Sequence, residues 1–106
     1  MAQYIVIGSH TPGQCPGANG VMRSVMKQLL DAAPVIAERH GVKVAMGPVH
    51  LDPAHKIMVM LEAPSQDVVN DVLIENRLGQ IQSIEIFRAV PLQDLMTRTQ
   101  NQEPLY

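Results

Sequence analysis

Strand-like and helix-like hydrophobic periods alternate along this chain in one order, and that order constrains the fold more than any other feature. Gln3 to Ser9 is rich in β-branched and aromatic residues and reads as a strand. From Val21 the apolar positions Met22, Val25, Met26, Leu29 and Ala33 follow helical spacing, opposed by Arg23, Ser24, Lys27 and Asp31. Pro34 should kink this helix or start a second turn, and Gly41 is a good stop. Val42–His50 and His55–Ala63 read as two strands joined by the turn Leu51-Asp52-Pro53-Ala54. Ser65 is the expected cap of a second helix, with Asp67 in its first turn, ending near Leu78 at Gly79. Gln80–Val90 gives a fourth strand, and Pro91 to Met96 can open a short last helix.

The order is β-α-β-β-α-β, the split arrangement of ferredoxin-like α+β domains. It predicts one four-stranded antiparallel sheet with both helical connections on one face. At 106 residues the chain is a single domain, 1–106, with a polar tail from about 97 to 106. Apolar residues at 46% and charged residues at 17% describe a globular chain.

The hairpin is apolar on both sides. Val42, Val44, Met46 and Pro48 are expected on one face with Ile57, Val59 and Leu61, and Ala45, Gly47 and Val49 on the other with Met58 and Met60. A sheet covered on one side alternates apolar with polar residues. Two helices cover only one face, so a second copy of the chain is the expected cover of the other. The seven methionines fit core or dimer filler.

In layout, length and doubly apolar sheet, the segment from Gln3 to about Val90 resembles the dimeric α/β-barrel superfamily, ferredoxin-like proteins that pair sheet to sheet. Monooxygenase-like and isomerase-like branches belong to that group. The resemblance implies a homodimeric α/β barrel with a sheet-end cavity for a small organic molecule. It rests on topology, and no catalytic motif of any branch is present to carry over.

Several classes are disfavoured by composition. A net charge of −2, a pI near 6.0 and 3% aromatic residues lack the basic stripe or stacking rings of a nucleic-acid binder. No apolar run reaches the ~20 residues of a membrane span. The start MAQYIVIG has no basic leader or cleavage-like segment, and a single cysteine excludes an intrachain disulfide and a cysteine-only zinc site. A reducing, cytoplasmic setting is the expectation.

The chemistry concentrates at one end of the expected sheet. In this topology the first two strands are parallel, with the third between them, so the loop HTPGQCPGANG and the hairpin tip emerge together. That end gathers His10, Cys15, His50 and His55, with the connection around Gly79 beside them; His40 lies elsewhere. A four-residue turn sets His50 directly opposite His55, with Cβ atoms roughly 4.5–5.5 Å apart.

Two functional readings follow. In the first, a cofactor-free pocket for a small, mostly apolar molecule uses His10, Cys15, His50 and His55 in acid–base or nucleophilic roles. In the second, the same four residues hold a transition metal, zinc, copper or iron, with Asp52 orienting a ring. Against both stands a plainer reading, two histidines that merely cap strand ends. Cys15 precedes Pro16, which would place it at the N-terminus of the first helix and favour its thiolate. The alternative is that Asn19 caps the helix and Cys15 packs under the loop. The glycine-rich loop lacks the spacing of a nucleotide cradle. Tyr4, Glu85 and Arg88 are lesser candidates for a cavity wall, and Tyr106 and the tail for contact with a neighbouring subunit.

Overall fold

A computed structural model describes all residues from Met1 to Tyr106. The elements run β1 (Ala2–Ser9), α1 (Gly20–Arg39), β2 (Lys43–His50), β3 (Lys56–Ala63), α2 (Gln66–Asn76), β4 (Ser83–Ala89) and α3 (Leu92–Thr99). The four strands form one antiparallel sheet in the order β2-β3-β1-β4, the ferredoxin-like arrangement that the periodicities predict. No helix is long and apolar enough to cross a membrane.

One face of the sheet carries α1 and α2. Tyr4, Val6, Leu61 and Ala63 from the strands pack with Ile36, Ala37, Val69 and Val72 from the helices. Their spacing, two along the strands and three or four along the helices, is why these segments take these forms. Tyr4 is therefore a core residue. Asn76, also buried, donates from Nδ2 to the Leu29 carbonyl at 3.1 Å and ties α2 to α1.

Both helix starts are capped by side chains. Ser65 accepts from the Val68 amide at 3.3 Å. Asn19 accepts from the Met22 amide at 3.0 Å and so begins α1. The expectation of Cys15 at that helix N-terminus is thereby corrected: Pro16 lies outside the helix, because a side-chain acceptor three residues later satisfies the first free amides. Two further boundaries differ. α1 is a single helix through Pro34 to Arg39, so no second helix starts at the proline, and Ile36 and Ala37 just beyond it pack in the core. α2 stops at Asn76, where Arg77 takes a left-handed conformation at φ 65°, ahead of Gly79.

The hairpin departs from the simple register. Lys43–Glu62 and Val44–Leu61 pair as a four-residue turn dictates. Two irregularities then intervene, one between Val44 and Met46 and one between Met46 and Val49. Each adds a residue to β2. Met46 consequently pairs with Met60 and moves to the uncovered face, a correction to its expected place beside Val59. Gly47 sits in the second bulge at φ 90°, where a Cβ would stand 2.7 Å from the Met58 carbonyl oxygen. By the end of β2 the partner of His50 has moved two residues, from His55 to Ile57.

The uncovered face presents Ile5, Ile7, Met58 and Met60, half-buried, with Met46, Val49 and Phe87 exposed. Glu85 lies opposite Ile7 on this face, whereas Arg88 lies opposite Tyr4. α3 reaches Thr99, into the segment expected as tail, and buries none of its residues.

Candidate functional site

The pairing of β1 places three side chains in a row. Its register with β3 ends at Ser9 opposite Lys56, and its register with β4 ends at Ser9 opposite Ser83. One step further, His10 stands between His55 on one side and Gln82 on the other. The His10 amide donates to the His55 carbonyl at 3.0 Å, so the first of these two pairings continues past the strand end. The two imidazoles meet edge to face, with ring centroids 5.7 Å apart and planes at 63°.

Cys15 completes the group from above. The loop after His10 makes a short 3-10 turn over Pro12–Gln14, then folds back toward α1. The Cys15 carbonyl accepts from the Ala18 and Asn19 amides at 2.9 and 2.8 Å. Asn19 Nδ2 donates to the Gly13 carbonyl, and the Arg23 guanidinium donates to the Pro16 and Gly17 carbonyls at 3.0 and 3.2 Å. The first turn of α1 thus holds the loop by its backbone. One ligand atom from each of His10, Cys15 and His55 lies within 4.8 Å of the other two.

His50 is not in that group. Its ring is half exposed, and its Nε2 lies 3.9 Å from Asp52 Oδ1, beyond hydrogen-bond range. The bulges in β2 carry it out of step with His55, so neither His50 as a partner of His55 nor Asp52 as a ring-orienting acceptor holds. Three of the four expected residues converge; the fourth flanks an exposed turn.

The surroundings of the three are unusual in what they leave unpaired. Both ring nitrogens of His10 and Nδ1 of His55 are buried and have no hydrogen-bond partner. An unpaired buried polar atom costs ~1–3 kcal/mol, and in a native fold it calls for an explanation such as strain, a water, an ion or a chemical role. Gln82 Oε1 is the fourth buried side-chain atom in this condition. Beside the row opens a cleft of about 310 Å³ that includes Ser9, His10, Thr11, Gln14, Gln80 and Gln82. Apart from Gly79 and Ile81, its lining residues are of polar, uncharged types or histidine.

Gln82 has no place among the residues chosen from sequence. A glutamine announces no chemistry by type, and its position depends on the β1–β4 register, which no hairpin turn fixes. The signal that finds it is structural: the row that ends β1 has only three members.

The three donors match a metal's needs. Two imidazoles and a thiolate suit zinc and copper. Donor atoms of a tetrahedral site with bonds of about 2.0–2.3 Å stand roughly 3.5 Å apart, so modest side-chain rotations close this group around an ion. No family model matches the chain, and no curated protein is significantly similar to it.

Proposed function

We propose that this protein binds one transition-metal ion, zinc(II) or copper, through His10, Cys15 and His55, leaving a further coordination position for a ligand from solution. The observation that carries the reading is the burial of three imidazole nitrogens without partners beside the Cys15 thiol. A fold keeps such atoms unpaired only at a cost, and an ion bound by both rings removes part of it. The neighbouring cleft supports the metal reading over a pocket for a mostly apolar molecule, because its lining offers hydroxyls and amides. Three protein ligands with one position open is the pattern of metal sites that act on an exogenous molecule. Binding releases the thiol proton to solvent and requires neutral imidazoles.

Elemental analysis of the freshly purified chain, followed by titration of the chelator-stripped protein with zinc(II) and copper, tests this reading. The expected result is one ion per chain. Failure of the stripped protein to bind either ion tighter than millimolar overturns it.

We further propose that two copies pair through the uncovered sheet face. The support is the cluster of Ile5, Ile7, Met58, Met60 and Phe87, large side chains that no helix of the same chain covers. A charge at Met60 would enter a dry interface, so Met60→Asp should shift the mass measured by light scattering from dimer to monomer. A monomer for the unsubstituted chain at micromolar concentration overturns the pairing.

A further inference from the structure

The four buried unpartnered atoms are complementary in kind. They are Nδ1 and Nε2 of His10, Nδ1 of His55, and the carbonyl oxygen Oε1 of Gln82. An imidazole gives a metal one nitrogen, and its other nitrogen then carries a proton and donates it to an acceptor. An ion held by His10, Cys15 and His55 Nδ1 satisfies one nitrogen on each ring. What is left is one N–H donor on His10 and one acceptor on Gln82.

The register sets their two residues opposite each other, with no hydrogen bond yet joining the side chains. Gly8 lies opposite Ile84 and Ser9 opposite Ser83, so the next step of that register puts His10 opposite Gln82. Cross-strand partners hold their Cβ atoms roughly 4.5–5.5 Å apart. Gln82 leads into β4 in phase with Ile84 and Ile86, and is only 6% exposed. Its Oε1 occupies room left by a missing side chain: a Cβ on Gly8 would stand 2.5 Å from it. Gly8 and His10 share one face of β1, two residues apart. The glycine thus makes space for an amide oxygen beside the histidine ring.

We propose that Gln82 is the positioning residue of the metal site, its Oε1 accepting the hydrogen bond from the His10 ring nitrogen that does not face the ion. The proposal rests on the metal reading above. The bond fixes the tautomer of His10 and the plane of its ring. An uncharged acceptor does this without adding a negative charge, so the bound ion stays more electron-poor than it would beside a carboxylate.

Cobalt(II), added to the stripped full-length chain, is the probe. Its sulfur-to-metal charge-transfer band reports Cys15, and its ligand-field bands report geometry. Gln82→Leu should keep the one-to-one stoichiometry and the charge-transfer band but bind ten- to a hundred-fold more weakly. Gln82→Glu, which keeps an acceptor oxygen, should bind within a few-fold of the unsubstituted chain. In a His10→Ala background, Gln82→Leu should cause no additional loss, which a merely structural glutamine would not predict. Gly8→Ala leaves Gln82 in place but pushes its Oε1 aside, and should reproduce the weakening should Gln82→Leu fail to fold.

The proposal is overturned when the unsubstituted chain binds cobalt(II) through Cys15 yet Gln82→Leu binds within two-fold of it. It is overturned equally when the loss persists undiminished without His10. If the unsubstituted chain binds no cobalt(II), zinc(II) or copper, the metal reading falls and this proposal with it.

Discussion

Two histidine clusters in this molecule have opposite characters. At the far end of α1, His40 Nε2 donates to Glu75 Oε2 at 2.9 Å, and Arg39 Nη2 reaches Glu75 Oε1 at 2.8 Å. All three groups touch water, and every charge has a partner. The hydrogen bond from His40 is the largest influence on the Glu75 carboxyl and, with the charge of Arg39 behind it, holds it below its ordinary value of 4.5 against the opposing effect of desolvation. At the loop end, His10 and His55 have buried nitrogens and no partners. The first cluster is complete with the residues it has and fastens α1 to α2. The second leaves its buried ring nitrogens without partners among the residues around it. Histidine content is the same kind of signal at both sites, and satisfaction of the ring nitrogens is what tells them apart.

The largest expected difference is in metal affinity. Cys15→Ser, His10→Ala or His55→Ala should each lower zinc(II) affinity at least a hundred-fold in competition titrations, while His40→Ala leaves it within two-fold. Equal losses at both clusters would erase the distinction. Next in size is the effect of the ion on stability. Zinc(II) at a hundred times its dissociation constant stabilises the folded state by about 2.7 kcal/mol. For a chain of this size that raises the melting temperature by roughly 10 °C or more, reversibly with chelator. The rise should vanish in Cys15→Ser and persist in Glu75→Gln.

A smaller effect is expected at Asn19, which caps α1 and also holds the Gly13 carbonyl. Asn19→Ala should cost about 1 kcal/mol in denaturant unfolding, the usual worth of a cap. It should also weaken the metal several-fold through the loop that carries Cys15. His50→Ala should change metal affinity less than two-fold, measured in the same titrations. The smallest effect belongs to the paired cluster. Because the Glu75 carboxyl is held low, its contribution to stability is present above about pH 4.5 and is lost as pH falls through its native value. Glu75→Gln should therefore lower the melting temperature slightly at pH 7, and the difference should shrink as the pH is taken below 4.5 and through the carboxyl's lowered native value.

The arrangement is legible in the sequence, and the register is not. The order of periods was enough for the sheet, and parallel β1 and β2 were enough to bring His10, Cys15 and His55 to one end. Pairing details lay deeper. Ala45 and Gly47 are an alanine and a glycine in an apolar run, and nothing in the alternation reveals that β2 gains two residues there. His50 was misplaced for that reason alone. Cys15 was offered a helix N-terminus by Pro16, but Asn19 competes for the same task with a hydrogen-bonding side chain, and the choice is settled by geometry. Gln82 is invisible in the sequence because α1, β2, β3 and α2 all lie between it and its spatial neighbour His10.

The backbone bond from the His10 amide to the His55 carbonyl has a consequence in time. It sets the two histidines opposite each other on one rung of adjacent strands before any ion arrives, while Cys15 stands on a loop. Capture of a metal would then be sequential, a rapid encounter with a ready-made pair of rings followed by closure of the thiolate. Departure would run in reverse, with the loop lifting first and the ion waiting, half released, on the two rings.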